Sequence, residues 1–128
     1  MKIERLHHIA IICSDYEKSK QFYTEILGFQ VDNEIYRAKR NSYKLDLSLN
    51  GQYLIELFSF PNPPQRQTRP EATGLRHISF GVNDIENSIE FLKSKNITTE
   101  QIRIDEFTNR KFTFFNDPDN LPIEIYEI

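Results

Sequence analysis

The residues able to do chemistry sit where an ordinary domain would put only hydrocarbon. Gln52-Tyr53-Leu54-Ile55-Glu56-Leu57-Phe58-Ser59-Phe60 reads as a strand covered on both faces, with a carboxylate in its middle. Leu121-Pro122-Ile123-Glu124-Ile125-Tyr126 repeats the pattern, again with apolar residues around one glutamate. Removing an ionised carboxylate from water without a partner is very costly. Each glutamate is therefore paired with a cation, protonated, or bound to a metal. Two histidines, His8 and His77, lie in short branched-apolar runs that also read as strands.

A repeat relates the four. His8 and His77 are 69 positions apart (77 − 8), as are Ser14 and Asn83, and Phe22 and Phe91. Glu56 and Glu124 are 68 apart (124 − 56), one residue being lost between helix and final strand. Taken singly, each has an ordinary explanation. An isolated strand histidine is more often a satisfied part of the core than a ligand. His7 has that reading, because strand alternation points it away from His8. A lone enclosed glutamate is more often salt-bridged, and Arg76 or Lys111 offers the cation. Joint occurrence shifts the balance, since both histidines and both glutamates fall at matched positions. Alternation puts His8 on a face with Ala10 and Ile12, His77 with Ser79 and Gly81, and Glu124 with Pro122 and Tyr126. Those faces are small or mixed, as a cavity lining should be. The opposite faces, carrying Ile9 and Ile11, Ile78 and Phe80, and Ile123 and Ile125, suit packing under helices. Two imidazoles and two carboxylates make an N2O2 set that suits Zn, Ni, Co, Mn or Fe(II) and leaves room for water or substrate.

The elements that must position these groups follow in order. Residues 6–12 predict a strand, and Ser14-Asp15-Tyr16-Glu17 has the spacing of a capping box. Tyr16, Ser19, Phe22, Tyr23, Ile26 and Leu27 then recur at helical spacing, with Gly28 where a helix-ending glycine belongs. Strands over 29–36 and 43–49 flank a basic, polar loop, 37–42, and Asn50-Gly51 is a strong hairpin signal leading into the Glu56 strand. Residues 61–74 hold four of the six prolines and read as a connector. The pattern then restarts with a strand over 75–82. A helix follows from Asn83-Asp84-Ile85-Glu86, with Ile85, Ile89 and Leu92 as its stripe. Strands over 99–106 and 111–115, the turn Asn116-Asp117-Pro118-Asp119 and the Glu124 strand complete it. The expectation is one α+β domain over 1–128, built as β-α-β-β-β twice: module one over about 1–60, module two over about 75–128.

Sixteen basic against nineteen acidic residues give a net charge of −3, which argues against a general nucleic-acid or membrane-surface binder. No apolar run approaches the roughly 20 residues needed to span a bilayer. Met1-Lys2-Ile3-Glu4-Arg5 runs into a strand pattern without a signal-peptide core. A single cysteine, Cys13, excludes an internal disulfide and suits a reducing cytoplasm; it reads as a small buried hydrophobe.

Leu6-His7-His8-Ile9-Ala10-Ile11, the helix end Phe22-Tyr23…Leu27-Gly28-Phe29, Leu75-Arg76-His77-Ile78, and Asn116-Asp117-Pro118-Asp119-Asn120 with Pro122-Ile123-Glu124 resemble the vicinal oxygen chelate superfamily. That is the glyoxalase I, bleomycin-resistance and extradiol dioxygenase group, and the resemblance covers essentially the whole chain. The run from Asn50 to Pro61 resembles its small bacterial YaeR-type glyoxalase-like branch. The resemblance implies tandem βαβββ modules forming a curved mixed sheet around a metal cavity. It also implies that His8, Glu56, His77 and Glu124 occupy the His-Glu-His-Glu ligand positions of glyoxalase I. Three-ligand dioxygenases and fosfomycin thiol transferases would leave Glu56 surplus, methylmalonyl-CoA epimerases typically carry Gln there, and bleomycin-binding members generally lack the set.

The implied activity is a glyoxalase-like lyase or isomerase acting on a small α-oxo compound or its thiol adduct. It proceeds by proton transfer through a metal-stabilised enediolate, with Glu124 and Glu56 as the catalytic carboxylates, Glu124 as base and Glu56 mainly a ligand. The alternatives are an epimerase, a ring-cleaving dioxygenase, or a non-catalytic binding or resistance protein. The segment after Glu56, Leu57-Phe58-Ser59-Phe60, departs from the Thr/Ser-Tyr/His-Asn-Trp-like segment of glyoxalase I, so glutathione recognition does not carry over. Arg37, Arg66, Arg69, Arg110 and Lys111 lie in predicted loops, where they either hold an anionic substrate or are simply solvated. Tyr43, Phe58 and Tyr126 either line a pocket or pack. Family members commonly dimerise, so the resemblance also implies a homodimer.

Overall fold

A computed structural model describes residues 1–128, which form two compact units, Met1–Gln65 and Arg66–Ile128. The first unit runs β1 (Ile9–Cys13), α1 (Tyr16–Gln21) prolonged by a π-helical turn (Phe22–Ile26), β2 (Gln30–Arg37), a short 3-10 turn (Ala38–Arg40), β3 (Ser42–Leu49) and β4 (Gln52–Ser59). Its sheet has the order β1-β4-β3-β2, with β1 parallel to β4 and the other pairs antiparallel. The second unit runs β5 (Ile78–Val82), α2 (Ile85–Ser94), β6 (Arg103–Ile104), β7 (Lys111–Asn116) and β8 (Pro122–Glu127). Its order, β5-β8-β7-β6, repeats the same mixed pairing. The β-α-β-β-β pattern expected twice is present twice, an α+β fold with two helices and two mixed sheets.

Both helices start one residue later than the capping-box spacing suggested. Asp15 caps α1 by accepting from the Lys18 amide at 3.1 Å, and Asp84 caps α2 by accepting from the Asn87 amide at 2.9 Å. A carboxylate at the positive end of a helix gains from the dipole as well as the hydrogen bond, so Asp displaces the neighbouring Ser14 and Asn83 from the cap. The apolar stripe of α1 buries Tyr16, Phe22 and Tyr23 on the same side as Leu45, Leu47, Ile55 and Leu57, all four of which are fully enclosed. Cys13 is buried there too, as expected. In the second unit Ile85 and Leu92 play the helix part against Ile78, Phe115, Ile123 and Ile125. Burying each such Leu or Ile contributes about 1.5–3 kcal/mol.

One irregularity decides which residues share a face with Glu56. Asn50 and Gly51 both adopt positive φ (52° and 75°), as a tight hairpin turn requires. From that turn, Leu49 pairs with Gln52 and Ser48 with Tyr53, but Leu47 pairs with Ile55. Leu54 is the extra residue of a bulge. A regular hairpin would set Leu45 opposite Glu56; the bulge sets Asp46 there, and Tyr53 comes to the same face as Glu56.

The strand expected over 99–106 is reduced to Arg103–Ile104. The Asp105 side chain accepts from the Phe107 and Thr108 amides at 2.8 and 3.3 Å and turns the chain. Ile102 and Ile104 remain exposed, so no covered face pins a longer ladder. Residues 61–77 form neither helix nor ladder. Buried Asp117 accepts from the Leu121 amide at 2.8 Å and so directs β7 into β8, the strand that carries Glu124. No helix is long and apolar enough to cross a membrane.

Candidate metal-ligand pairs

His8 immediately precedes β1, and Glu56 lies in the middle of β4, where it pairs with Ala10 across the parallel ladder. His8 and Ala10 are two positions apart, so imidazole and carboxylate share a face, and His8 Nε2 stands 3.2 Å from Glu56 Oε2. The second unit builds the same pair. His77 precedes β5, Glu124 pairs with Ser79, and His77 Nε2 stands 3.7 Å from Glu124 Oε2. Side-chain exposures match closely, 33% and 16% in the first pair and 31% and 14% in the second. The residues beside the carboxylates on the parallel ladders, Ala10 and Ser79, are small.

These pairs suit metal ligation as donors. Imidazole nitrogen and carboxylate oxygen bound to one ion at about 2.0–2.2 Å lie roughly 3.0–3.4 Å apart. The first pair, at 3.2 Å, lies within that range, and the second, at 3.7 Å, lies just above it. Each unit supplies two donors, and no group of three or more His, Cys, Asp or Glu side chains able to hold an ion occurs in the structure.

The outer partners of the two pairs differ. His8 Nδ1 lies 2.7 Å from His7 Nδ1, so one ring donates to the other. His7 thus touches His8 rather than turning away, because both precede Ile9, where the β1 ladder begins and alternation takes hold. His77 Nδ1 is buried without a hydrogen-bond partner, and the ring meets Phe114 edge-on at 5.2 Å.

The carboxylates differ more. Lys44 Nζ lies 2.7 Å from Glu56 Oε1 and 2.5 Å from Asp46 Oδ1, and the Tyr53 hydroxyl donates to Asp46 Oδ1 at 3.2 Å. Burial pushes the Glu56 carboxyl up, but hydrogen bonds from Lys44 and Tyr53 and the Lys44 charge outweigh it, leaving it below its ordinary value. Asp46 is lowered in the same way, burial being overcome chiefly by Lys44. Burial likewise opposes the Lys44 charge, and its bonds to Asp46 and Glu56 restore and raise it. The cluster holds two carboxylates against one ammonium, a net charge of −1. Its cation is Lys44, not the anticipated Arg76 or Lys111; Lys111 instead pairs with Glu86 at 2.5 Å. In the second unit, Phe114 stands opposite Glu124 and Phe112 opposite Tyr126, where the first unit has Asp46 and Lys44. His77 is the one ion-pair partner of Glu124, through Oε2, and Glu124 Oε1 has no protein partner.

Of the aromatic residues singled out in the sequence, Phe58 shares the Glu56 face, across from Lys44. Tyr43 lies on the helix side, stacked 4.4 Å from the Tyr16 ring. The Tyr126 hydroxyl bonds Asp105 at 3.0 Å and Thr108, which ties β8 to the turn after β6. Among the basic residues, Arg66 bonds the Leu75 carbonyl and Arg69 pairs with Glu71 at 2.7 Å. Arg37 ends β2 rather than lying in a loop, and its half-buried side chain turns onto the Glu56 face.

Residues 5–125 match the family model described as the Glyoxalase/Bleomycin resistance protein/Dioxygenase superfamily, and the chain belongs to that family. Bacillus subtilis YwkD is 63% identical over 127 residues, covering 99% of both chains, and Escherichia coli YaeR is 58% identical, covering 98% of this chain and 97% of its own; both are described as uncharacterized proteins. The crystal structure of a glyoxalase family protein from Enterococcus faecalis is 48% identical, with a TM-score of 0.90 over 99% of this chain and 100% of its own. More distant relatives carry named activities. A lactoylglutathione lyase of Schizosaccharomyces pombe is 27% identical, covering 98% of this chain and 48% of its own. A metallothiol transferase, FosB, of Staphylococcus epidermidis is 27% identical, covering 98% and 83%.

Proposed function

We propose that the protein is a metal-dependent, glyoxalase-like lyase or isomerase of the cytoplasm, active as a homodimer on a small α-oxo compound or its thiol adduct. His8, Glu56, His77 and Glu124 hold one divalent ion, of the group Zn, Ni, Co, Mn and Fe(II). The observation that carries this reading is the recurrence of one His–Glu pair at matched positions of both units, with donor separations of 3.2 and 3.7 Å.

When bound, a divalent ion supplies Lewis-acid stabilisation to the oxyanion that develops as a proton leaves the carbon beside a carbonyl. Glu124 is the base: its Oε1 lacks a protein partner and is free to accept the proton and return it to the neighbouring carbon. Glu56 is the fixed ligand, with Oε1 on Lys44 and Oε2 towards His8. His7 holds the outer nitrogen of His8, an arrangement that orients a ligating ring.

Metal analysis followed by Glu124→Gln tests this. With turnover found in a screen of α-oxoaldehydes and thiols, Glu124→Gln should keep the ion and lower kcat by about 10²–10⁴-fold. A variant with full turnover refutes the assignment of the base. One observation favours a second reading, a non-catalytic small-molecule binding protein. Lys44 already compensates Glu56 in the way a metal-free protein would need. Protein that takes up no divalent ion, with stability unchanged by alanine at His8 and Glu56, selects that reading.

A further inference from the structure

On the sheet face that carries Glu56, one cation has no acid to neutralise it. Arg37 lies with its guanidinium 4.7 Å from the centre of the Phe58 ring and 5.7 Å from that of Phe60. Its Nη2 donates to the Oγ of fully buried Ser42 at 2.8 Å. Its Nε is buried with no hydrogen-bond partner, and no carboxylate lies within ion-pair distance. That Nε is closed to an incoming ligand, but Nη1 is not enclosed and makes no hydrogen bond either, so the cation is under-satisfied where an anion could meet it. Other cations of the chain show what a neutralised one looks like. Lys44 serves two carboxylates, and Arg103, which stacks on Phe112 and Phe114 in the second unit, reaches Glu100 at 2.9 Å.

We infer that Arg37 binds an oxyanion, the carboxylate or phosphate of the substrate. Two aromatic rings and the Ser42 hydroxyl fix the plane of the guanidinium, and a planar fork held in this way matches a two-oxygen anion. The hook also sets a length. Phe58, under the guanidinium, is two residues from Glu56 along β4, about 7 Å. The ligand therefore carries its anionic group about 7 Å from the oxygens bound near His8 and Glu56. This rests on the α-oxo reading above and narrows it to α-oxo compounds with a charged far end.

Two experiments test the hook and separate its failure from that of the metal reading. In metal-free protein, the NMR signal of Arg37 Nε–H, assigned by its loss in Arg37→Lys, should shift saturably with 2-oxoglutarate or with dihydroxyacetone phosphate. It should stay still with 2-oxopentanoate and dihydroxyacetone, which lack the far-end anionic group. In protein loaded with a divalent ion, the member of at least one pair that carries the far-end anionic group should bind about tenfold or more tighter than the partner that lacks it. Arg37→Met should erase that preference while leaving the affinity for the ion itself unchanged. A signal that none of the four compounds moves, equal binding within both pairs, or no binding at all makes Arg37 a brace between β2 and β4 and overturns the proposal. If Arg37→Met does not fold, the wild-type NMR titration decides alone. A shifting signal in protein that takes up no ion keeps the hook and removes the lyase.

Discussion

Across β3 from Glu56 stands Asp46, with Lys44 two residues along; across β7 from Glu124 stands Phe114, with Phe112 two residues along. The two glutamates hold the same place in the same four-stranded unit, each beside a histidine and each exposed to a similar extent. Their neighbours are opposite in kind. Glu56 has both oxygens engaged and is kept ionised, while Glu124 sits among phenyl rings with one oxygen unclaimed. A duplicated scaffold has therefore kept its metal-type donors and let the surroundings diverge. On the proposed function, ligand and base would be told apart by what stands across the strand, not by position in the fold.

The covered faces are where the units agree, and breaking them should give the largest effects. Leu57→Ala and Ile123→Ala each delete a fully enclosed side chain and should each cost about 2–5 kcal/mol in urea unfolding. A loss confined to one of them would mean that the two units do not share one kind of core. The open faces are where the units part. In metal-free protein, Lys44→Met strands Glu56 and Asp46, each 16% exposed, and should cost about 1–3 kcal/mol. Phe112→Met at the matching place should stay within about 1.5 kcal/mol. Equal losses would show that the Lys44 network is no more than packing.

The smallest effect concerns Glu34, which ties β2 to α1 through Lys20 at 2.7 Å and the Tyr16 hydroxyl at 2.6 Å. Those bonds, Lys20 first, hold its carboxyl below the ordinary value. The stabilisation is thus present above the usual carboxylate range and is lost as pH falls through the lowered pKa of the folded state. Glu34 is about one-third exposed, so Glu34→Gln should cost less than about 1 kcal/mol at pH 7, and the gap to wild type should close in acid. A difference in thermal unfolding that stays constant with pH would remove the charge from the account.

Much of this was legible in the residues, for identifiable reasons. The 69-residue offset carries the fold, because hydrophobic periodicity and turn chemistry recur together at it. The four donors stood out because charged and imidazole groups in apolar strand runs need a reason to be there. The partner of Glu56 was hidden by a single residue. Counting back from Asn50-Gly51 in a regular hairpin puts Leu45 opposite Glu56, and only the extra Leu54 brings Asp46 and Lys44 to its face. His7 was misplaced because alternation was applied ahead of the ladder. The helix caps moved by one because Ser14 and Asp15, and Asn83 and Asp84, stand side by side and all can cap. Arg37 stayed one of five basic residues until its ring contacts and orphaned Nε singled it out.

The central claim is that one imidazole and one carboxylate from each unit serve a common ion, and calorimetric titration of metal-free protein with a divalent cation tests it most directly. The account predicts one ion for each His8, Glu56, His77 and Glu124 set, with affinity reduced at least about tenfold by His8→Ala and equally by His77→Ala. Undiminished affinity in either variant, or no binding by the wild type, would contradict it.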